Sequence, residues 1–128
     1  MSNHLLKETT HTLPNFSLDI PIFAKIYDFY KNLSQFLTVF PKAKRYTLGQ
    51  KIDQTSLDIV ELTITAGYLP REQKLPLLQK ISTKLDLLKI LLRLSWETKC
   101  LNNNKYLTLT SQLIEIGRML GGWIKTVR

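Results

Sequence analysis

Residues 75–101 read LPLLQKISTKLDLLKILLRLSWETKCL, and the rest of the chain can be understood as packing around this stretch. It holds ten leucines and two isoleucines, and no glycine or proline follows Pro76 within it, so the composition predicts one long helix. At about 1.5 Å per residue this helix would span roughly 40 Å, which is the full length of a small domain.

The apolar residues of this helix divide into two stripes. One stripe has the spacing of three and four that is typical of a core-facing surface, and comprises Leu78, Ile81, Leu85, Leu88, Leu92 and Trp96. The second stripe lies further round the helix, and comprises Leu87, Ile90, Leu91 and Leu94. A helix that is apolar on two sides needs two partners. We therefore expect the second stripe to form a contact between subunits.

Three other segments repeat apolar residues with the same helical period. The first runs from Pro21 to about Phe40, the second has Ile52 and Ile59 on its core face and ends near Gly67, and the last follows the asparagines at 102–104. Four amphipathic helices with short connections predict an all-α protein in which residues 20–128 form an up-and-down four-helix bundle. Residues 1–19 are polar and lack a period, so we expect a flexible or loosely packed tail.

The composition favours a polyanionic partner. The net charge is +8 and the sequence pI is about 9.7, which suits nucleic acid, or less often an anionic membrane surface or an acidic protein. No apolar run approaches the ~20 residues of a membrane-spanning helix, and the N-terminus lacks signal-peptide features, so we expect a cytoplasmic protein. The single cysteine, Cys100, is interpreted as a small packing residue.

The start of the second helix carries charges of the unfavourable sign. Four bases and no acid occur in residues 40–51, namely Lys42, Lys44, Arg45 and Lys51, whereas the turns that follow contain acids and no base. Cations at a helix N-terminus oppose the macrodipole, and residues that break such a rule often do so for function. Phosphate binding is one interpretation of this pattern. The other is that the helix begins well before Tyr46, or that the lysines extend into solvent.

The last helix has a second face, formed by Arg118, Gly121, Gly122 and Lys125 and extended toward its start by Ile114 and Leu107. Glycine inside a helix costs roughly 1 kcal/mol relative to alanine, so we expect these glycines to admit another backbone or a phosphate strand. The alternative is a helix that frays at its end. We place Gly121 in the subunit contact and Arg118 and Lys125 on a nucleic-acid surface. Lys89, three residues from Asp86, is assigned to a paired, solvated face.

Catalysis is not expected. The acids do not form the Glu-x-x-His pattern of di-iron bundles, and His4 and His11 lie outside the predicted helices. The glycines of the last helix do not follow a strand, as a nucleotide fingerprint requires. We therefore predict no catalytic residue, no metal site and no cofactor.

Three segments carry a resemblance to a known family. FPKAKRYTLGQK at residues 40–51, LLRLSWE at residues 91–97 and EIGRMLGGWIK at residues 115–125 resemble the accessory variability determinant family of diversity-generating retroelements. Members are small four-helix bundles, and the match in order and spacing runs from about residue 22 to 127. The family motif falls on Arg45, Arg93, Arg118 and Lys125 in this chain, and Arg93 joins the predicted nucleic-acid surface on this ground.

The resemblance implies a homopentameric, positively charged barrel. Such a barrel associates with a reverse transcriptase and its template RNA and supports error-prone cDNA synthesis without catalysing it. One alternative is the related bundle encoded in intervening sequences of ribosomal RNA genes, which these motifs separate only imperfectly. Another is a structural protein-interaction module whose charge serves solubility.

Overall fold

The computed structural model describes residues 20–128 and contains no strand in that range. Four long helices account for most of these residues: α1 (Pro21–Leu37), α2 (Gln50–Tyr68), α3 (Arg71–Glu97) and α4 (Asn103–Val127). A helical turn, Lys42–Lys44, and a wider π-helical turn, Arg45–Gly49, lead directly into α2. The prediction of an all-α chain with four helices is confirmed. The prediction for residues 1–19 falls outside the described residues.

The helices alternate in direction around a square. α1 packs against α2 and α4, and α3 packs against the same two helices. The connections after α1 and after α3 lie at one end of the bundle, where the Lys105 ammonium is 5.7 Å from the centre of the Phe36 ring. At the opposite end, the Lys74 ammonium is 5.8 Å from the Trp123 ring.

The helix ends follow signals that are visible in the sequence. Pro70 immediately precedes α3, and the Asn102 side chain caps α4 by accepting the backbone N–H of Lys105 at 2.8 Å. α2 continues through Gly67 to Tyr68, and the Lys74 ammonium donates to the carbonyl oxygens of Ala66 and Gly67 at 2.6 and 3.2 Å. A cation there satisfies the last carbonyls of α2 and suits the negative end of its dipole.

α3 ends at Glu97, four residues before the predicted limit. Lys99 adopts the left-handed conformation with φ of 66°, and the Cys100 N–H donates to the Ser95 carbonyl at 2.7 Å. This arrangement closes a helix C-terminus by satisfying its last carbonyls. Cys100 and Leu101 are buried beyond the turn, so the interpretation of Cys100 as a packing residue is confirmed.

The core is formed by the predicted stripes of all four helices, with two exceptions on α3. Leu78, Ile81, Leu85, Leu88 and Leu92 are all buried, but Trp96 is 38 % exposed and its assignment to the core was wrong. Leu91, which was assigned to an outer stripe, is only 9 % exposed and belongs to the core. Around Leu88 the helices leave a void of only about 10 Å³, so packing there is close.

Candidate nucleic-acid interface

One end of the bundle gathers positive charge from two separate connections. These connections, residues 38–49 and 98–106, contain five bases and no acid, and together they are called the basic end. Its bases are Lys42, Lys44, Arg45, Lys99 and Lys105. Four of the five side chains are exposed, and Lys105 is half-buried. An uncompensated cluster of this kind attracts a polyanion.

The predicted nucleic-acid residues do not form one patch on the subunit. Lys42, Lys44 and Arg45 lie together at the basic end, and Lys51 follows in the first turn of α2. Arg93 lies in the last turns of α3, near the same end. Lys125, in contrast, is 22 residues beyond the start of α4, or about 33 Å along the helix axis. Arg118 and Lys125 therefore lie toward the opposite end.

The helical conformation begins at Lys42, which is well before Tyr46. Pro41 precedes this turn without a side-chain cap, and the Lys42 and Lys44 side chains are exposed. The structure thus has the simpler of the two arrangements considered for residues 40–51, in which the helix starts early and the lysines extend into solvent. The bases still occupy a helix N-terminus, where their charge opposes the dipole unless an anion is bound nearby.

Arg45 has a structural role that the sequence did not reveal. Its guanidinium donates to the backbone carbonyls of Thr38 and Phe40, at 3.2 and 3.3 Å. These carbonyls follow the end of α1, so the arginine ties that end to the start of the next helical segment. A cation at this position also suits the C-terminal dipole of α1. Replacing Arg45 would therefore disturb the connection as well as remove a charge.

The π-helical turn surrounds a recess of about 340 Å³ at the corner between α1 and α2. Eight residues line it: Ser34, Leu37, Thr38, Arg45, Tyr46, Gly49, Gln50 and Asp53. Tyr46 is 65 % exposed. Gly49 is buried in this turn, and a Cβ atom there would lie 3.4 Å from the Lys44 carbonyl oxygen and from the Phe40 ring. π-helical turns occur frequently at functional sites.

A short hydrogen bond joins α1 to α2 beside this recess. The Tyr30 hydroxyl of α1 donates to the Asp53 carboxylate of α2 at 2.6 Å. Burial, followed by the hydrogen bond and negative charge of Asp53, raises the pKa of Tyr30 to about 12. The phenol thus remains protonated at neutral pH and holds the carboxylate in place.

Two predicted phosphate ligands are engaged in ion pairs. Arg93 donates to Glu97 at 3.1 Å, and Arg118 makes two hydrogen bonds to Glu115, at 3.1 and 2.6 Å. The bidentate contact lowers the pKa of Glu115 and raises that of Arg118. Each of these arginines therefore has an acidic partner on its own helix.

Lys89 is exposed, as its assignment to a solvated face predicted, and its expected ion pair is the part that differs. Within residues 20–128, no ion pair joins Lys89 to Asp86. The ammonium reaches across to α4 instead, where it lies 4.0 Å from the position that a Cβ on Gly117 would occupy. Arg118, which was predicted to contact nucleic acid, is instead paired with Glu115.

The four α3 residues that were predicted to contact another subunit differ in their burial. Leu91 is buried within the subunit and Leu87 is half-buried, whereas Ile90 and Leu94 are exposed. Leu91 lies two turns after Lys84, which contacts Asp58 of α2 at 3.1 Å, so Leu91 shares the α2-facing side of α3.

Large apolar side chains remain exposed on α3 and α4, and together they are called the α3–α4 face. Exposed Leu107 and Ile114 of α4 add to exposed Ile90 and Leu94 of α3. Gly121 lines a groove of about 370 Å³ between these helices, and a Cβ atom there would meet nothing within 4 Å. No neighbour within the described chain therefore uses the space left by Gly121. The Gly122 position is equally open.

Aromatic residues at the basic end were missed as surface features. The Trp96 and Tyr106 rings stack with centres 5.0 Å apart, and the Trp96 indole N–H donates to Asn103 at 2.6 Å. Lys99 and Lys105 were also missed. An up-and-down topology could have revealed them, because it brings the first and third connections to the same end.

Metal binding and membrane spanning can each be checked against the described residues. Within residues 20–128, no group of three or more His, Cys, Asp or Glu side chains is arranged to hold a metal ion. No helix in that range is long and apolar enough to cross a membrane.

Comparison with known proteins identifies one family. The model described as bAvd-like matches residues 21–127, which include all four helices and both connections of the basic end. No curated protein matches the chain.

Proposed function

The chain belongs to the bAvd-like family, and from this premise we propose that it is a non-catalytic accessory protein of a diversity-generating retroelement. In this proposal the protein binds a reverse transcriptase and its template RNA or cDNA in the cytoplasm and supports mutagenic cDNA synthesis. The observation that carries the nucleic-acid part is the basic end, with five bases and no acid in two adjacent connections.

Assembly is a second part of the proposal. Ile90, Leu94, Leu107 and Ile114 expose an apolar face that a single subunit leaves uncovered. We assign this face to a homopentameric barrel, as the family resemblance implies. In a closed ring, each copy repeats the basic end, and a modest charge per subunit becomes a strongly basic surface.

Binding of single-stranded RNA over a salt series tests the nucleic-acid part. We expect the logarithm of the affinity to fall linearly with the logarithm of the salt concentration, with a slope of about −0.7 for each phosphate contact. A purified protein that fails to bind RNA even at low salt would contradict the proposal. That result would favour a structural protein-interaction module.

The reverse-transcriptase part has a separate test. We expect the tagged protein to co-purify with a reverse transcriptase encoded beside its gene, near a pair of variable and template repeats. A gene neighbourhood without these features would instead favour the bundle associated with ribosomal RNA.

A further inference from the structure

The recess beside Tyr46 has the composition of a nucleotide site. Tyr46 exposes 65 % of its surface directly after Lys42, Lys44 and Arg45, in the only stretch of three bases within four residues between residues 20 and 128. An exposed aromatic ring that follows cations closely in the sequence suits a single strand, since such a ring can stack on a base while the cations contact phosphates.

The other groups of the recess suit the edge of a base. Among residues 20–128, the Gln50 side-chain amide has no hydrogen-bond partner, and it offers both a donor and an acceptor to the recess. Asp53 opposite is held by the Tyr30 hydroxyl. Leu37 adds an apolar surface to the lining, so the recess combines stacking, apolar and polar groups. Its volume of about 340 Å³ is within the range of small-ligand sites.

We infer that this recess accepts an unpaired nucleotide, with its base stacked on Tyr46 and its phosphates near Lys42 and Lys44. The inference rests on the proposed nucleic-acid function and specifies its substrate as single-stranded. A duplex cannot use the recess, because its bases are already stacked and paired within the helix. Duplexes would contact only the lysines.

Tyr46→Ala compared with Tyr27→Ala provides the test. Tyr27 is also exposed, at 56 %, and has a cation at its ring, since the Lys31 ammonium lies 5.6 Å from the ring centre. It lies on α1, outside the recess. The affinities of each variant for a ten-nucleotide single-stranded RNA and for a duplex of equal length are measured at one salt concentration, with circular dichroism to verify folding.

We expect Tyr46→Ala to weaken single-strand binding about tenfold, as the loss of one stacked base does, and to change duplex binding less than twofold. Tyr46→Phe should retain wild-type affinity, and Tyr27→Ala should change neither affinity. Equal losses for both ligands, or no loss for the single strand, would overturn the inference while leaving the proposed function intact. A loss of reverse-transcriptase co-purification without a loss of RNA affinity would also overturn it, because the recess would then be a protein contact. A wild-type protein that binds neither ligand overturns both proposals.

Discussion

At the scale of residues, the side chains predicted to contact phosphate differ in whether they have a partner within the subunit. Arg93 and Arg118 are paired with acids on their own helices, and Arg45 is tied to backbone carbonyls. Lys42 and Lys44 have no ion-pair partner within residues 20–128. The family motif thus includes arginines whose contacts in the subunit are structural, while neighbouring lysines supply the unpaired charge.

The hydrogen bond from Tyr30 to Asp53 leads to a prediction about how stability depends on pH. Its pKa is about 12 in the folded protein and near 10 in an unfolded chain, so the folded state binds the phenolic proton more tightly. The stability from this group is fully present below pH 10 and is lost as the pH rises toward 12. Tyr30→Phe should lower the free energy of unfolding by about 1 kcal/mol at pH 8, and the difference from wild type should shrink between pH 10 and 12. Urea unfolding at several pH values measures it.

A difference between wild type and Tyr30→Phe that stays constant from pH 8 to 12 would contradict this account. The other tyrosines and the lysines titrate in both proteins, so the comparison of wild type with Tyr30→Phe controls for them. The shared part cancels in the difference.

At the scale of elements, α3 shows how one helix divides its apolar residues between core and surface. Leu91 faces α2 and is 9 % exposed, whereas the adjacent Ile90 is 60 % exposed. A rotation of about 100° between consecutive residues is enough to separate the two environments. The two positions therefore form a matched pair for separating folding from assembly.

Ile90→Lys should leave the helical circular dichroism signal and the Tm of the subunit nearly unchanged, and should reduce the mass of the assembly. Leu91→Lys should lower the Tm strongly, because a buried unpaired charge costs several kcal/mol. Light scattering and thermal denaturation measure the two effects. If Ile90→Lys assembles like the wild type, the α3–α4 face is not the subunit contact.

Sequence periodicity predicted the four helices better than it predicted any other feature. The spacing of three and four identified all four helices, and the asparagines at 102–104 marked the start of α4. Trp96 and Leu91 were misplaced for related reasons. An apolar stripe on a helical projection does not specify how wide the buried face is, and that width depends on how closely α2 and α4 approach α3.

The candidate site was harder to predict than the fold, because it depends on residues that are distant in the sequence. Lys99 and Lys105 join Lys42 and Lys44 only when the first and third connections reach the same end of the bundle. Ion pairs such as Arg118 with Glu115 depend on rotamers that spacing permits but does not require. The recess at Tyr46 depends on the π-helical turn, for which the sequence offered no signal.

At the scale of the whole molecule, an acid-free group of five bases lies at one end, and exposed apolar side chains of α3 and α4 lie along the helices. An end surface and a side surface can be used at once, since subunits that associate through the α3–α4 face leave their ends accessible. Assembly and nucleic-acid binding, as we propose them, therefore use different parts of each subunit, and this division forms one account of the molecule. Its central claim is that the basic end binds the nucleic acid.

The most direct test compares two double variants of equal charge. Lys42→Ala/Lys44→Ala removes two exposed lysines from the basic end, and Lys25→Ala/Lys80→Ala removes two exposed lysines toward the opposite end. Affinity for single-stranded RNA is measured over a salt series for each, after circular dichroism and light scattering show wild-type folding and mass. The account predicts that the first pair weakens binding and flattens the slope by about 1.4, which corresponds to two lost phosphate contacts, while the second pair keeps the wild-type slope. Equal slopes for the two double variants would contradict it.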